Sequence, residues 1–145
     1  MKKNRIPCNP SSPHLRVVMV FGTFDIIHGG HIHMFKQARE YGDKLIAVVA
    51  RDINVDRIKE YGALHDEEER LDFLKHIDLI DEVILGDKTD VYKVIKEQQP
   101  DIIALGYDQK VYVDELADAI TEAGLECQIV RLTDHKENKL KSNKI

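Results

Sequence analysis

The stretch VVMVFGTFDIIHGGH, residues 17–31, decides the fold. It opens with an unbroken apolar run, passes through a turn that contains glycine and aspartate, and ends with two histidines that flank a glycine pair. An apolar run without alternation is typical of a strand buried on both faces, and the glycines that follow favour a sharp passage from strand to helix. We therefore predict a first strand that ends at Phe21 and a first helix that begins near Gly30.

Short β-rich runs recur along the chain: RVVMVF, KLIAVVA, DEVILG, DIIALG and LECQIVRL. Stretches with helical periodicity lie between them, namely HIHMFKQAREYG, EEERLDFLKHI, VYKVIKEQQ and VDELADAITEAG. Strands that alternate with helices indicate an α/β fold with a doubly wound, parallel, five-stranded sheet. Gly42 and Gly124 each follow a helical stretch, where a C-capping glycine is expected. We predict a disordered, proline-rich leader over residues 1–15 and one domain over residues 16–145.

Composition excludes several classes of function. The chain has 145 residues and a formal net charge of -5, which argues against a general binder of nucleic acid or anionic membranes. No apolar run approaches the roughly 20 residues of a membrane span, and no leader resembles a signal peptide. Cys8 and Cys127 indicate neither a disulfide framework nor a metal knuckle, so we expect a cytoplasmic protein.

The turn after the first strand predicts an anion site. The start of a helix carries unpaired N–H groups and partial positive charge, which attract phosphate. Gly29 and Gly30 leave the backbone open, while the imidazoles of His28 and His31 can add N–H donors. We call these four residues the phosphate cradle, to which the hydroxyl of Thr23 can add a further donor.

Other interpretations of the histidines are possible. A zinc site needs further ligands, and no Cys or H-E-x-x-H pattern supplies them. The dinucleotide fingerprint and the P-loop pattern are both absent from the sequence. His28 and His31 could simply cap the loop and the helix, although the whole constellation favours phosphate binding. His33 points to another side of the helix, and we interpret it as a surface or packing residue.

The stretch GTFDIIHGGH resembles the G-T-F-D-x-x-H-x-G-H signature of the cytidylyltransferase-like nucleotidylyltransferases. The resemblance extends from about residue 16 to residue 145 and implies a Rossmann-like fold. It also implies transfer of a nucleoside monophosphate from ATP or CTP to a phosphorylated acceptor, with release of pyrophosphate. His28 and His31 would contact the nucleotide phosphates, and Gly22, Thr23 and Phe24 would line the nucleotide site. Asp25 would support that loop or contact substrate.

Three later stretches also match the family. VVARD ends the second strand in the family's manner, although Asp52 could equally be the N-cap of the next helix. In NVDRIKEYG, Arg57 and Lys59 are candidates to cover the triphosphate, or they form an ordinary solvated face. HDEEER resembles an E-x-x-R helix start, so Arg70 would either bind phosphate or tie the helix down.

The remaining matches bear on the choice of nucleotide. LGYDQ resembles the G-P-D-Q of archaeal-type FAD synthases, with a tyrosine in place of proline. This implies that Gly106, Tyr107, Asp108 and Gln109 border the base and ribose, or they form a plain turn. KSNKI resembles a K-S-S-K-I segment, so Lys141, Ser142 and Asn143 would face the triphosphate, or they belong to a basic solvated tail. Ser142 would join His28 and His31 as a catalytic residue.

These resemblances favour an FAD synthase, which makes FAD from FMN and ATP with Mg²⁺ bridging phosphates. The rival enzyme is a CTP-dependent cytidylyltransferase that acts on glycerol 3-phosphate or a similar phospho-alcohol. A nucleotide-binding module without turnover is a third hypothesis, which the change at Asn143 allows. The resemblance also implies a homodimer through the sheet edge or nearby helices.

Overall fold

The computed structural model describes residues 15–58, 63–90, 92–106, 109 and 115–133. Its strands are β1 (Val17–Gly22), β2 (Lys44–Val49), β3 (Glu82–Leu85), β4 (Ile102–Leu105) and β5 (Gln128–Arg131). Its helices are α1 (Gly29–Arg39), α2 (Asp52–Ile58), α3 (Glu67–Lys75), α4 (Lys93–Gln98) and α5 (Leu116–Glu122). All paired strands run parallel in the order β3-β2-β1-β4-β5, which confirms the predicted doubly wound sheet.

The sheet separates two apolar layers. Val18 of β1 packs in one layer with Phe35 of α1 and Leu74 of α3. Met19, the next residue along β1, points the other way and packs with Ile120 of α5. Because β1 is covered on both faces, its sequence shows an unbroken apolar run rather than an alternating one.

Aspartates fix the amino ends of three strands. Each donates its own N–H to the carbonyl of a residue on the neighbouring strand, or just before it, at 2.8 to 2.9 Å. Its carboxylate accepts the N–H of that same residue at 2.8 to 3.0 Å. The pairs are Asp43 with Arg16, Asp81 with Leu45, and Asp101 with Val17. These hydrogen bonds extend the backbone pairing past the amino ends of the strands, and so they help to fix the register between neighbouring strands.

Some predicted boundaries need correction. Gly124 has φ +70° and follows the C-cap Ala123 of α5, as predicted for a helix-ending glycine. Gly42 is not the C-cap of α1, which is Glu40. A Cβ on Gly42 would lie 2.7 Å from the carbonyl oxygen of Arg16, so glycine is required there by close backbone approach. Asp52 is the first residue of α2 rather than its N-cap.

No helix in the described ranges is long and apolar enough to cross a membrane. Apart from Leu15, the predicted leader lies outside the described residues.

The contrast between two glycines gives a test of packing. We expect Gly42→Ala to lower the free energy of unfolding by roughly 1–3 kcal/mol, because its Cβ meets fixed backbone. Gly86→Ala is the matched control, since its Cβ would find its nearest atom, the carbonyl oxygen of Val49, at an ordinary 3.5 Å. Urea titrations would measure both variants, and equal midpoints would contradict the packing argument.

Candidate active site

The carboxyl ends of the strands meet at one rim, and the switch in strand order falls between β1 and β4. In open α/β sheets ligands bind at this place. The phosphate cradle lies here, at the start of α1, with His28 and Gly29 exposed to solvent. The sheet topology therefore presents the cradle where a ligand is expected.

Two imidazoles cap the first turn of α1. Nδ1 of His28 accepts the N–H of Gly30 at 3.0 Å, and Nδ1 of His31 accepts the N–H of His28 at 3.3 Å. The two ring centroids lie 4.2 Å apart. A nitrogen that accepts a backbone N–H carries no proton, so each neutral ring holds its proton on Nε2. The capping and phosphate interpretations are therefore compatible, because they use different ring nitrogens.

Two glycines leave room for neighbouring rings. A Cβ on Gly30 would lie 2.9 Å from Cε1 of His28, and one on Gly22 would lie 2.8 Å from Cζ of Phe24. Gly30 thus admits the His28 ring to its capping position. Gly22 admits the Phe24 ring beneath the end of β1.

The side chain of Phe24 lies in the core beneath the cradle. Its backbone has φ 54°, in the left-handed region, and its side chain is only 3% exposed. The ring packs against Phe35 with centroids 5.6 Å apart and against the His31 ring at 5.7 Å. The left-handed turn thus directs the ring inward, under a cradle histidine, and its part in the nucleotide site stays a prediction.

Asp25 joins the β1–α1 loop to the approach to α3. Its carboxylate accepts the backbone N–H groups of Leu64 at 2.7 Å and His65 at 2.8 Å. Desolvation alone would raise the pKa of Asp25, but these two backbone N–H groups and the His65 ring together lower it below its ordinary 3.8. This geometry agrees with one of the two roles predicted for Asp25, namely support of the β1–α1 loop.

Arg70 is fully buried and ties four pieces of chain together. Its guanidinium donates to the carbonyl oxygens of Thr23 at 2.9 Å, Ala50 at 2.8 Å and His65 at 3.0 Å. It also donates to the carboxylate of Asp52 at 2.7 Å. Of the two roles open to Arg70, this geometry supports tying the helix down and not direct phosphate binding.

A second ion pair, between Arg51 and Glu67, also joins the end of β2 to α3. Arg51 donates to the carboxylate of Glu67 at 2.8 Å and to the carbonyl oxygen of Gly86 at 2.7 Å. The other carboxylate oxygen of Glu67 accepts the N–H of Asp52. We call Arg51, Asp52, Glu67 and Arg70 the rim clamp. It fixes the start of α2 relative to the start of α3.

The loop after β4 is braced from two sides. The Gln109 side chain accepts the N–H of Gly106 and donates to the carbonyl of Phe21, so it bridges the ends of β4 and β1. Arg131 donates to the carbonyls of Gly106 at 2.8 Å and Gln109 at 2.6 Å. The sequence analysis assigned no role to Arg51, Glu67 or Arg131. Glu67 is the glutamate of the E-x-x-R pattern and Arg51 belongs to VVARD, whereas no family motif includes Arg131.

Several predicted site residues fall outside the described part of the chain. They are Lys59, Tyr107, Asp108, Lys141, Ser142 and Asn143, together with the side chain of Arg57 on α2. Within the described ranges, no group of three or more His, Cys, Asp or Glu side chains could hold a metal ion.

Comparison with known proteins assigns the family. The family model described as cytidylyltransferase-like matches residues 19–145. The chain belongs to the cytidylyltransferase-like family. The predicted resemblance to this family is thereby confirmed.

The curated relatives of this family member include archaeal proteins named FAD synthase. That of Thermoplasma volcanium is 42% identical over 118 residues, which is 81% of this chain and 82% of the relative. That of Aciduliprofundum boonei is 37% identical over 123 residues, with 85% and 82% covered. That of Methanosarcina acetivorans is 39% identical over 120 residues, with 83% and 78% covered.

Solved structures agree on the fold. A crystal structure described as the lipopolysaccharide core biosynthesis protein from Thermoplasma volcanium is 40% identical, with a TM-score of 0.78 over 84% of this chain and 99% of that one. A pantoate–β-alanine ligase from Francisella tularensis is 14% identical with a TM-score of 0.55, over 81% of this chain and 59% of that one. The second likeness shows the fold alone.

The rim clamp predicts that Arg70 tolerates no replacement, even by another cation. Lysine lacks the planar fork that reaches several acceptors at once, so Arg70→Lys leaves buried carbonyls without donors. We expect a loss of about 2–4 kcal/mol in the free energy of unfolding. Arg51→Lys is the control, because Arg51 is partly exposed and water can replace its contacts. Similar unfolding midpoints for the two variants would contradict this account.

Proposed function

We propose that this chain is an FMN adenylyltransferase, which converts FMN and ATP to FAD and pyrophosphate. The observation that carries the proposal is the 37–42% identity to relatives named FAD synthase, over about four fifths of the chain. The geometry of the phosphate cradle supports it, because the cradle is built for an anionic ligand.

The reaction needs positioning more than acid–base chemistry. A phosphate oxygen of FMN attacks the α-phosphorus of ATP and forms the new P–O bond. The bond between the α-phosphorus and the bridging oxygen to the β-phosphorus breaks, and pyrophosphate leaves with that electron pair. The attacking phosphate is already ionised near neutral pH, so no strong general base is required.

The cradle would stabilise charge on the transferring phosphates. The capping bonds leave the proton of each neutral ring on Nε2, and the start of α1 contributes its partial positive charge. These donors are held by the capping hydrogen bonds before substrate arrives, so little reorganisation is needed. We assign both histidines to catalysis, with Gly22, Thr23 and Gly30 as the surrounding backbone.

Other residues complete the proposed nucleotide site. Asp25 and Arg70 act by positioning, and Gly106 and Gln109 border the base and ribose. The proposal extends to residues outside the described ranges, namely Arg57, Lys59, Tyr107, Asp108, Lys141, Ser142 and Asn143. Of these, Ser142 would donate to the triphosphate.

Mg²⁺ is proposed to enter with the nucleotide. The described residues offer no cage of carboxylate or imidazole ligands for a divalent ion. Mg²⁺ commonly binds chiefly through substrate phosphates and water, so MgATP is written here as the substrate. ATP is a cytoplasmic nucleotide, and we propose the cytoplasm as the compartment.

A homodimer through the sheet edge is also proposed. β5 is an edge strand whose residues Gln128, Ile129 and Arg131 are exposed, and an open edge can pair with a second copy. Light scattering at working concentration should give twice the chain mass, whereas a monomer would refute the dimer.

A substrate panel tests the function. ATP and CTP would each be offered with FMN, glycerol 3-phosphate and phosphocholine, and pyrophosphate release would be measured alongside the nucleotide product. We expect release with ATP and FMN, together with FAD. Release only with CTP would overturn the proposal in favour of a cytidylyltransferase. Nucleotide binding without any release would indicate a binding module.

Two variants of His28 separate its capping role from its proposed catalytic role. Asparagine is a good N-cap residue but lacks the distal N–H donor, so His28→Asn should keep the stability of the protein. Turnover should still fall by about 10²- to 10³-fold, as expected for the loss of one preorganised donor. His28→Ala should lose turnover and also about 1 kcal/mol of stability. His33→Ala is the control, and near-normal turnover of His28→Asn would show that the imidazole serves only as a cap.

A further inference from the structure

A groove lies beside the cradle, between the β1–α1 loop and α3. One wall is Asp25, Ile26 and Ile27, and the other is Phe73, His76 and Ile77. We call it the α3 groove. Its volume is about 500 Å³, within the range of small-molecule sites.

Apolar side chains on both walls are open to water. Ile26 is 58% exposed and Phe73 is 37% exposed, although they face each other across the same groove. Large apolar groups that stay exposed beside a candidate active site are typical of a surface that a ligand covers. Four of the eight lining residues are apolar, and the other four are Asp25, His65, Asp72 and His76.

The groove and the cradle are adjacent along the chain. Ile27 is followed by His28, the N-cap of α1, so the end of one wall is the start of the phosphate site. A ligand with its phosphate at the cradle can therefore extend its other end into the groove. The described lining of the groove holds the carboxylates of Asp25 and Asp72 and no lysine or arginine, so it disfavours a second phosphate and suits the end of the ligand that carries no phosphate.

The walls are held in place before any ligand binds. The carboxylate of Asp25 holds the backbone of His65, and the His65 ring meets the Phe73 ring edge-on at 5.0 Å. The carbonyl of His65 is in turn bound by the buried Arg70. A wall fixed in this way loses little entropy when it meets a rigid planar ring.

We propose that the α3 groove binds the isoalloxazine ring of the acceptor, with the Phe73 ring against it, and so selects a flavin phosphate over a small phospho-alcohol. This inference rests on the proposed function. FMN has the required shape, because a flexible chain joins its phosphate to a planar, largely apolar ring. A small phospho-alcohol would leave Ile26 and Phe73 in water and would gain nothing from them.

Binding of FMN and of riboflavin, which lacks the phosphate, tests this assignment. Both would be titrated into wild type, Phe73→Ala and Ile26→Asp, with flavin fluorescence as the readout. Both variants should raise the Kd of each flavin roughly tenfold or more, as expected for truncation of a central contact. The Kd of MgATP should stay unchanged. Tyr41→Ala is the matched control, because this aromatic side chain is 39% exposed but follows α1 at the opposite end of the sheet.

The outcomes separate this inference from the proposed function. If wild type makes FAD while both groove variants bind flavin normally, the groove assignment is wrong and the function stands. If the variants leave flavin binding unchanged but shift the mass in light scattering, the groove is a contact between copies. If the wild-type protein turns over only CTP with a phospho-alcohol, the proposed function is wrong. The assignment of a flavin to the groove is then wrong as well.

Discussion

The buried guanidinium of Arg70 is the contact on which the rim depends. Burying a charged group is costly unless its donors are paired, and here the donors reach three carbonyl oxygens and one carboxylate. Those acceptors belong to the end of β1, the end of β2, the approach to α3 and the first residue of α2. One side chain therefore sets the spacing between the loop that carries the cradle and the wall that faces it. A shift of any of these pieces would leave a buried charge or a buried carbonyl without its partner.

The two ends of the sheet are stabilised by different chemistry. At the amino ends, aspartates such as Asp43 and Asp101 each pair with a single residue at the start of the neighbouring strand or just before it. At the carboxyl ends, arginines reach across several loops and hold backbone carbonyls inward. Because these carbonyls accept from Arg70 and Arg131, they are not free acceptors at the rim, where the imidazole of His28 is exposed to solvent. This polarity suits an anionic substrate.

The sequence predicts the sheet well because the strands are buried on both faces. Each of the five predicted runs coincides with a strand of the structure, with β1 extending one residue further, to Gly22. The cradle residues are contiguous in the chain, so their position at the start of α1 could also be predicted. Features that depend on distant partners were not predictable. Gly42 resembles a helix cap until the backbone of Arg16 is seen to pass 2.7 Å from its missing Cβ. Phe24 lies in the loop after β1, where its sequence context does not show that the left-handed backbone directs the ring into the core. Arg131 donates to the carbonyl of Gly106, which lies 25 positions earlier in the chain, and no local sequence pattern predicts that contact.

His28 shows why a structural interpretation and a functional one need not compete. Imidazole has two nitrogens on opposite sides of its ring, so one can accept from the helix while the other donates outward. An aspartate or serine cap would satisfy the same N–H of Gly30 but would offer no donor beyond it. The capping bond also fixes which nitrogen holds the proton, so the donor is set before substrate binds. The glycine at position 30 leaves room for this ring, because a Cβ there would lie 2.9 Å from Cε1 of His28. The histidine, the glycine and the helix start are thus one arrangement, in which the cap of the helix orients the proposed phosphate donor.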